Sequence, residues 1–130
     1  MSDMINKHGQ RFTLLSQAAQ KAVTCLSIED VAAQLHQKAS MPFYLVDVRE
    51  ESEWAKGHIP GAIHLSRGVL EVKIEQAIPD PDAPVILYCG GGNRSALAAE
   101  SLQKMGYTQV ASMNDGFRGW VGAGYPVDLS

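Results

Sequence analysis

The sequence predicts an α/β fold, a mainly parallel five-stranded sheet with helices on both faces. Short apolar runs alternate with helical periodicities along the chain, the order from which parallel sheets with covered faces are built. One run, Val85-Ile86-Leu87-Tyr88, is apolar throughout, the pattern of a strand buried on both sides. It ends in Cys89, three glycines and a helix-forming segment, the kind of strand-to-helix junction at which open α/β sheets bind ligands. With 130 residues and no internal repeat or low-complexity segment, a single domain with a real core is expected.

The elements follow in order. Gly9 to Val23 reads as an amphipathic helix, with Phe12, Leu15, Ala19 and Ala22 on one face, Leu14 and Ala18 beside them, and Arg11, Gln17, Gln20 and Lys21 elsewhere. Packing on the domain is the simpler role for it, partner docking the alternative. Thr24 to Leu26 is a short strand. Ser27 offers an N-cap with Asp30 at capping-box spacing, and Ile28, Val31, Ala32 and Leu35 give the apolar face of the next helix. Phe43 to Val48 is the second strand, and Asp47 and Arg49 at its end are either a catalytic pair or a paired structural charge. Glu50 to Lys56 makes a short helix, Gly57 to Gly61 a turn around Pro60, and Ala62 to Leu65 a third strand. Ser66 to Ile78 carries Leu70, Ile74, Ala77 and Ile78 at helical spacing, and the Pro79 to Pro84 loop leads into the Val85 strand. Ser95 to Met105 is the following helix, with Gly106 as a suitable C′ residue. Gln109 to Met113 is the fifth strand, and Asp115 to Val121 a short helix that sends Phe117 and Trp120 to the core.

Composition bounds the function. Hydrophobic residues at 45% and charged residues at 19% are ordinary for a globular chain, and a formal net charge of −3 gives no sign of a nucleic-acid surface. No apolar run approaches the roughly 18 residues of a membrane span, and polar Met1 to Gln10 lacks a signal-peptide core. Cys25 and Cys89 are the two cysteines, and neither has metal-ligand or C-x-x-C spacing. A disulfide between them would consume a nucleophile, so a reducing compartment, by default the cytoplasm, is expected. Cys25 reads as a small buried hydrophobe rather than a resolving thiol.

The loop after the fourth strand carries the chemistry. Gly90, Gly91 and Gly92 allow the backbone to curl so that its N–H groups converge, an anion-binding nest. The helix start adds unpaired N–H groups and a positive dipole end, and Arg94 adds a formal charge. All of these favour the thiolate of Cys89 over its thiol. A buried structural thiol beside a tight turn is the competing reading. Three glycines, an arginine and a helix start directly after the cysteine favour a nucleophile that meets an anion.

With these residues in place, the sequence resembles the rhodanese-like sulfurtransferases. Leu45-Val46-Asp47-Val48-Arg49-Glu50, Glu53-Trp54, Gly57-His58-Ile59-Pro60-Gly61-Ala62, Gly116-Phe117-Arg118-Gly119-Trp120 and Gly124-Tyr125-Pro126-Val127 are similar to that family's motifs and stand in its order. The resemblance covers roughly Thr24 to Val127. It implies an N-terminal helical extension over residues 1–23 and a single rhodanese domain over 24–130, and it makes Asp47 and Arg49 structural supports and His58 part of a packing motif. Four residues separate Cys89 from Arg94, whereas related dual-specificity phosphatases have five, which widens the cradle for phosphate. Many thiosulfate-using members carry a charged or larger polar residue early in the loop. Here glycines stand there, which leaves Asn93, Arg94 and Ser95 as the side chains able to contact a donor.

The reaction so implied is that of a thiosulfate sulfurtransferase-like enzyme, with Cys89 catalytic and Gly90, Gly91, Gly92, Asn93, Arg94 and Ser95 binding substrate. A small anionic donor such as thiosulfate would pass its sulfane sulfur through a Cys89 persulfide to cyanide or a thiol, with Arg94 steering the donor. No cofactor or metal is implied, and neither nucleic acid nor membrane is an expected partner. A sulfur-relay or regulatory module acting with a sulfur-acceptor protein is one alternative. A cysteine phosphatase or arsenate reductase is the other.

Overall fold

The structure is a computed structural model that describes residues 8–37 and 43–129. The polar stretch read from Met1 to Gln10 lies outside the described residues as far as Lys7. The elements are α1 (Gln10–Ala22), β1 (Thr24–Leu26), α2 (Ile28–His36), β2 (Tyr44–Asp47), α3 (Glu51–Ala55), β3 (Ile63–His64), α4 (Leu70–Ala77), β4 (Val85–Tyr88), α5 (Asn93–Lys104), β5 (Val110–Met113) and α6 (Gly116–Gly122). The five strands form one sheet in the order β1-β5-β4-β2-β3, and every pairing is parallel. The expected α/β fold is the observed one.

Strand β4 lies at the centre, and its four residues are all buried because both sheet faces are covered. Alternation along it divides two cores. Val85, Leu87 and then Cys89 face a cluster formed with Ala19 and Val23, with Leu70, Ile74 and Ile78, and with Ala96, Ala99 and Leu102, from the α1, α4 and α5 side. Ile86 and Tyr88 face Ile28, Val31, Ile59 and Trp120 from the α2 and α6 side. The cysteine therefore emerges at the end of the central strand, on the side covered by α5.

Local chemistry accounts for most boundaries. The Ser27 hydroxyl accepts from Asp30 N–H at 3.0 Å and the Asp30 carboxylate accepts from Ser27 N–H at 3.4 Å, the capping box that starts α2. Helix α5 ends where Gly106 takes φ +100°, and Tyr107 N–H reaches back to Leu102 O at 3.0 Å. Helix α4 begins four residues later than its periodicity implied. Leu65 N–H and Arg67 N–H donate to Asp47 O and Val48 O, both at 3.0 Å, and this continues the path of β3 alongside β2 before a turn admits the helix.

Helix α1 departs from the expected orientation. Its buried residues are Ser16 and Ala19, whereas Leu14 and Leu15 are each 58% exposed. The helix packs along α5, and Ser16 Oγ donates to Asn93 Oδ1 at 2.6 Å while Gln20 Nε2 lies 3.3 Å from the same oxygen. A buried polar anchor at the start of α5, not the leucine stripe, sets its rotation.

Candidate active site

Cys89 follows β4 directly, and the chain turns there into α5. Gly92 is the N-cap of α5 with φ +101°, a left-handed conformation that a Cβ would strain; of Gly90, Gly91 and Gly92 it is the one with positive φ. That turn aims Gly92 N–H at Cys89 Sγ at 3.0 Å, and Ser95 N–H in the first turn of α5 points at it from 3.4 Å. A sulfur that accepts two main-chain N–H groups at a helix N-terminus is held where negative charge is favoured. The thiol form donates to Ser95 Oγ at 3.6 Å; Ser95 Oγ in turn donates to Gly92 O at 3.3 Å and shares a 2.8 Å hydrogen bond with Ser112 of β5.

Gly90 and Gly91 serve a different purpose. The Arg118 guanidinium lies on Gly91, in space that a Cβ would occupy. At Gly90 a Cβ would stand 3.0 Å from Arg94 Nη2 and 3.3 Å from Arg118 Nη1. The first two glycines thus admit two cations to the loop. Helix α6 fixes the second of them, because Phe117 N–H donates to Cys89 O at 2.7 Å and Arg118 N–H to Gly90 O at 3.1 Å.

The two arginines are not equivalent. Arg94 is gripped by Glu53 of α3, Nη1 to Oε1 at 2.8 Å and Nη2 to Oε2 at 3.1 Å, a fork-to-fork pair. Glu53 is held down at about 2 by that bond, despite partial burial, with help from Glu50 N–H. Arg94 keeps its proton more firmly than usual, first through Glu53, against burial, and then through the charge of Cys89. Arg118 has no such partner among the described residues. Asn93, expected to contact substrate, is engaged with Ser16 and Gln20 of α1. The mouth is a cavity of about 240 Å³ lined by Cys89, Gly91, Asn93, Arg94, Arg118, His8 and Phe12. Its size is below the ~300 to 1,000 Å³ of sites for drug-sized ligands and suits a small one.

Asp47 and Arg49 form a buried brace. Asp47 is fully buried and Arg49 is 4% exposed; Arg49 Nη2 reaches Asp47 Oδ2 at 2.8 Å and Gly57 O at 2.7 Å, and its guanidinium covers the Phe117 ring at 4.2 Å. This ties the end of β2 to the turn after α3 and to α6. Beside it Tyr88 Oη accepts from Ile59 N–H at 3.0 Å, and burial pushes the phenol well above its usual range. His58 stacks on Trp54 at 3.5 Å between ring centroids, and its backbone pairs with Asp128. Cys25 is half-buried in β1, its Sγ donating to Gln20 O at 3.5 Å and Val23 O at 3.8 Å, and burial raises its thiol.

Reasoning from sequence missed Arg118, Glu53, Ser112, His8 and Phe12 as parts of the site. Arg118 and Glu53 lie inside the family-like motifs, but nothing in their spacing announces a meeting across 28 and 41 residues with Gly90 and Arg94.

The rhodanese-like domain family model matches residues 27–123. The chain belongs to that family. A structure from Rhodopseudomonas palustris, described as a protein of unknown function and possible tyrosine phosphatase, superposes with a TM-score of 0.79 at 33% identity, covering 95% of this chain and 96% of that one. The polysulfide-sulfur transferase homodimer of Wolinella succinogenes superposes with a TM-score of 0.74 at 26% identity over 91% of this chain and 87% of its own. Thiosulfate sulfurtransferase from Pseudomonas aeruginosa gives 0.72 at 32% identity over 81% of this chain, which spans 20% of that enzyme. Rhodanese membership and these neighbours make the family one of sulfurtransferase type. No helix among the described residues is long and apolar enough to cross a membrane.

Proposed function

We propose that this protein is a sulfurtransferase that takes a sulfane sulfur from a small anionic donor such as thiosulfate and passes it to cyanide or a thiol through a Cys89 persulfide. The supporting observation is the pair of main-chain N–H groups on Cys89 Sγ at the N-terminus of α5, 3.0 and 3.4 Å away. Cys89 thiolate attacks the sulfane sulfur; an S–S bond forms to the enzyme, the donor's S–S bond breaks, and its electron pair leaves with sulfite. The terminal persulfide sulfur carries the negative charge. Cyanide then attacks that sulfur, a C–S bond forms, thiocyanate departs, and the Cys89 thiolate is restored. The N–H groups are already oriented in both half-reactions, so no reorganisation is needed as charge develops. Asp47 and Arg49 brace the end of β2 against the turn after α3 and against Phe117 of α6, whose N–H holds Cys89 O. The reaction needs no cofactor, and the reducing interior of a cell would preserve the thiol.

The phosphatase description of the Rhodopseudomonas neighbour motivates one rival, which the four-residue spacing from Cys89 to Arg94 disfavours. A relay role with an acceptor protein uses the same persulfide and differs only in the second half-reaction. Steady-state thiocyanate formation from thiosulfate and cyanide, beside hydrolysis of an aryl phosphate, tests the reading. Turnover of the first and none of the second is expected. The reverse pattern would replace sulfur transfer with phosphatase chemistry.

A further inference from the structure

We propose that Arg118, and not Arg94, is the residue that reads the anionic end of the sulfur donor. This rests on the sulfurtransferase reading and deepens it by assigning the donor subsite. Both guanidinium groups flank Gly90, so both are near enough to the loop to meet a bound anion. Their charges differ in availability. Arg94 faces the Glu53 carboxylate with both Nη atoms, at 2.8 and 3.1 Å, so an arriving anion meets a pair that is already neutral. Arg118 lies over Gly91 with no side-chain partner among the described residues, and its backbone is pinned to the loop through the Gly90 carbonyl at 3.1 Å. The residue is exposed, lines the same cavity of about 240 Å³ as Cys89, and faces no competing carboxylate there among the described residues.

The glycines acquire a specific reason from this. A side chain at Gly91 would take the place of the Arg118 guanidinium, so the bare loop trades a side chain of its own for one delivered from α6. A donor with its sulfane sulfur at Cys89 Sγ and its oxyanion on Arg118 would occupy the cavity with Phe12 and His8 of the N-terminal segment along its wall. The ligand class is a small sulfur oxyanion whose charge lies at the end opposite the sulfur transferred. Arg94 then acts as a positioning residue for the loop, with Glu53 fixing its place.

The test uses the full-length protein and two alkylating probes of nearly equal size, anionic iodoacetate and neutral iodoacetamide, so that charge reading is measured apart from sulfur chemistry. The ratio of Cys89 modification rates, iodoacetate over iodoacetamide, is expected to fall roughly tenfold in Arg118→Ala, partly to recover in Arg118→Lys, and to decline with added salt in the parent. Arg94→Ala is expected to slow both reagents alike and keep the ratio. Because Arg118 is exposed and makes no side-chain bond among the described residues, its variants are expected to fold. With thiosulfate, Arg118→Ala should raise KM more than it lowers kcat. An unchanged ratio in Arg118→Ala, or a ratio abolished by Arg94→Ala alone, overturns the assignment. If the parent fails to turn over thiosulfate while the ratio still responds to Arg118, the anion subsite stands and the donor reading falls.

Discussion

Cys25 lies in β1 and Cys89 directly follows β4, two strands away in the same parallel sheet, yet opposite ends of helices meet them. Cys25 follows the C-terminus of α1, and what its sulfur meets are carbonyls, Gln20 O at 3.5 Å and Val23 O at 3.8 Å. Cys89 precedes the N-terminus of α5, and its sulfur meets N–H groups at 3.0 and 3.4 Å. Acceptors around a thiol hold its proton, and donors around it favour the anion. The fold therefore rings a half-buried cysteine with carbonyls and a fully buried one with N–H groups. What separates them is which end of a helix the strand meets.

Gly92→Ala attacks the N–H-ringed member of the pair at its main chain. At φ +101° the added Cβ is strained and also meets Asp115 N at 3.3 Å, so a loss of about 1 to 3 kcal/mol in chemical denaturation is expected. Because relaxation of that strain moves the N–H off Cys89 Sγ, thiosulfate turnover should fall more than tenfold at a temperature where the variant is still folded. Full activity would mean that the convergent N–H groups are not what readies the thiol.

Glu53→Gln sharpens the contrast between Arg94, gripped by a carboxylate, and Arg118, which has no side-chain partner among the described residues. Glu53 sits at about 2 in the fold against 4.5 for an ordinary glutamate, a depressed carboxylate, so its contribution is fully present above about 4.5 and lost as pH falls to about 2. The pair is about one-third exposed on each side, which limits its worth to about 0.5 to 1 kcal/mol after screening. Stability of the parent minus that of Glu53→Gln should be flat at neutral pH and vanish across that acidic window, as thermal melts at stepped pH would report. A difference that persists at pH 2 would show that the carboxylate charge is irrelevant to the clamp.

Cys25→Ala is the smallest expected change. Loss of a half-buried sulfur should cost about 1 kcal/mol or less and leave turnover within about twofold. Loss of most activity would make Cys25 a partner in the chemistry and erase the contrast.

Much of the site was legible because it is local. The run Val85 to Tyr88, the cysteine, the glycines and the helix start lie within a few residues of one another, and strand, turn and dipole arguments act over that range. The Ser27 box and the Gly106 stop were readable for the same reason. Long-range polar contacts were not. The rotation of α1 is set by Ser16 meeting Asn93 across 77 residues, which overrides the Leu14 and Leu15 pattern a helical wheel emphasises. Likewise, Arg94 looked like a free cation until Glu53, 41 residues away, was seen to hold it. Arg118 reads as one more charge on a short helix unless α6 is known to rest its N–H groups on Cys89 and Gly90.

Peptide-level mass spectrometry after exposure to thiosulfate locates the sulfur carrier. One added sulfur atom is expected on the peptide that contains Cys89, none on the peptide that contains Cys25, and cyanide should remove that sulfur. A Cys89→Ser protein that still gains a sulfur, or a label that falls on Cys25 in the parent, would contradict Cys89 as the carrier.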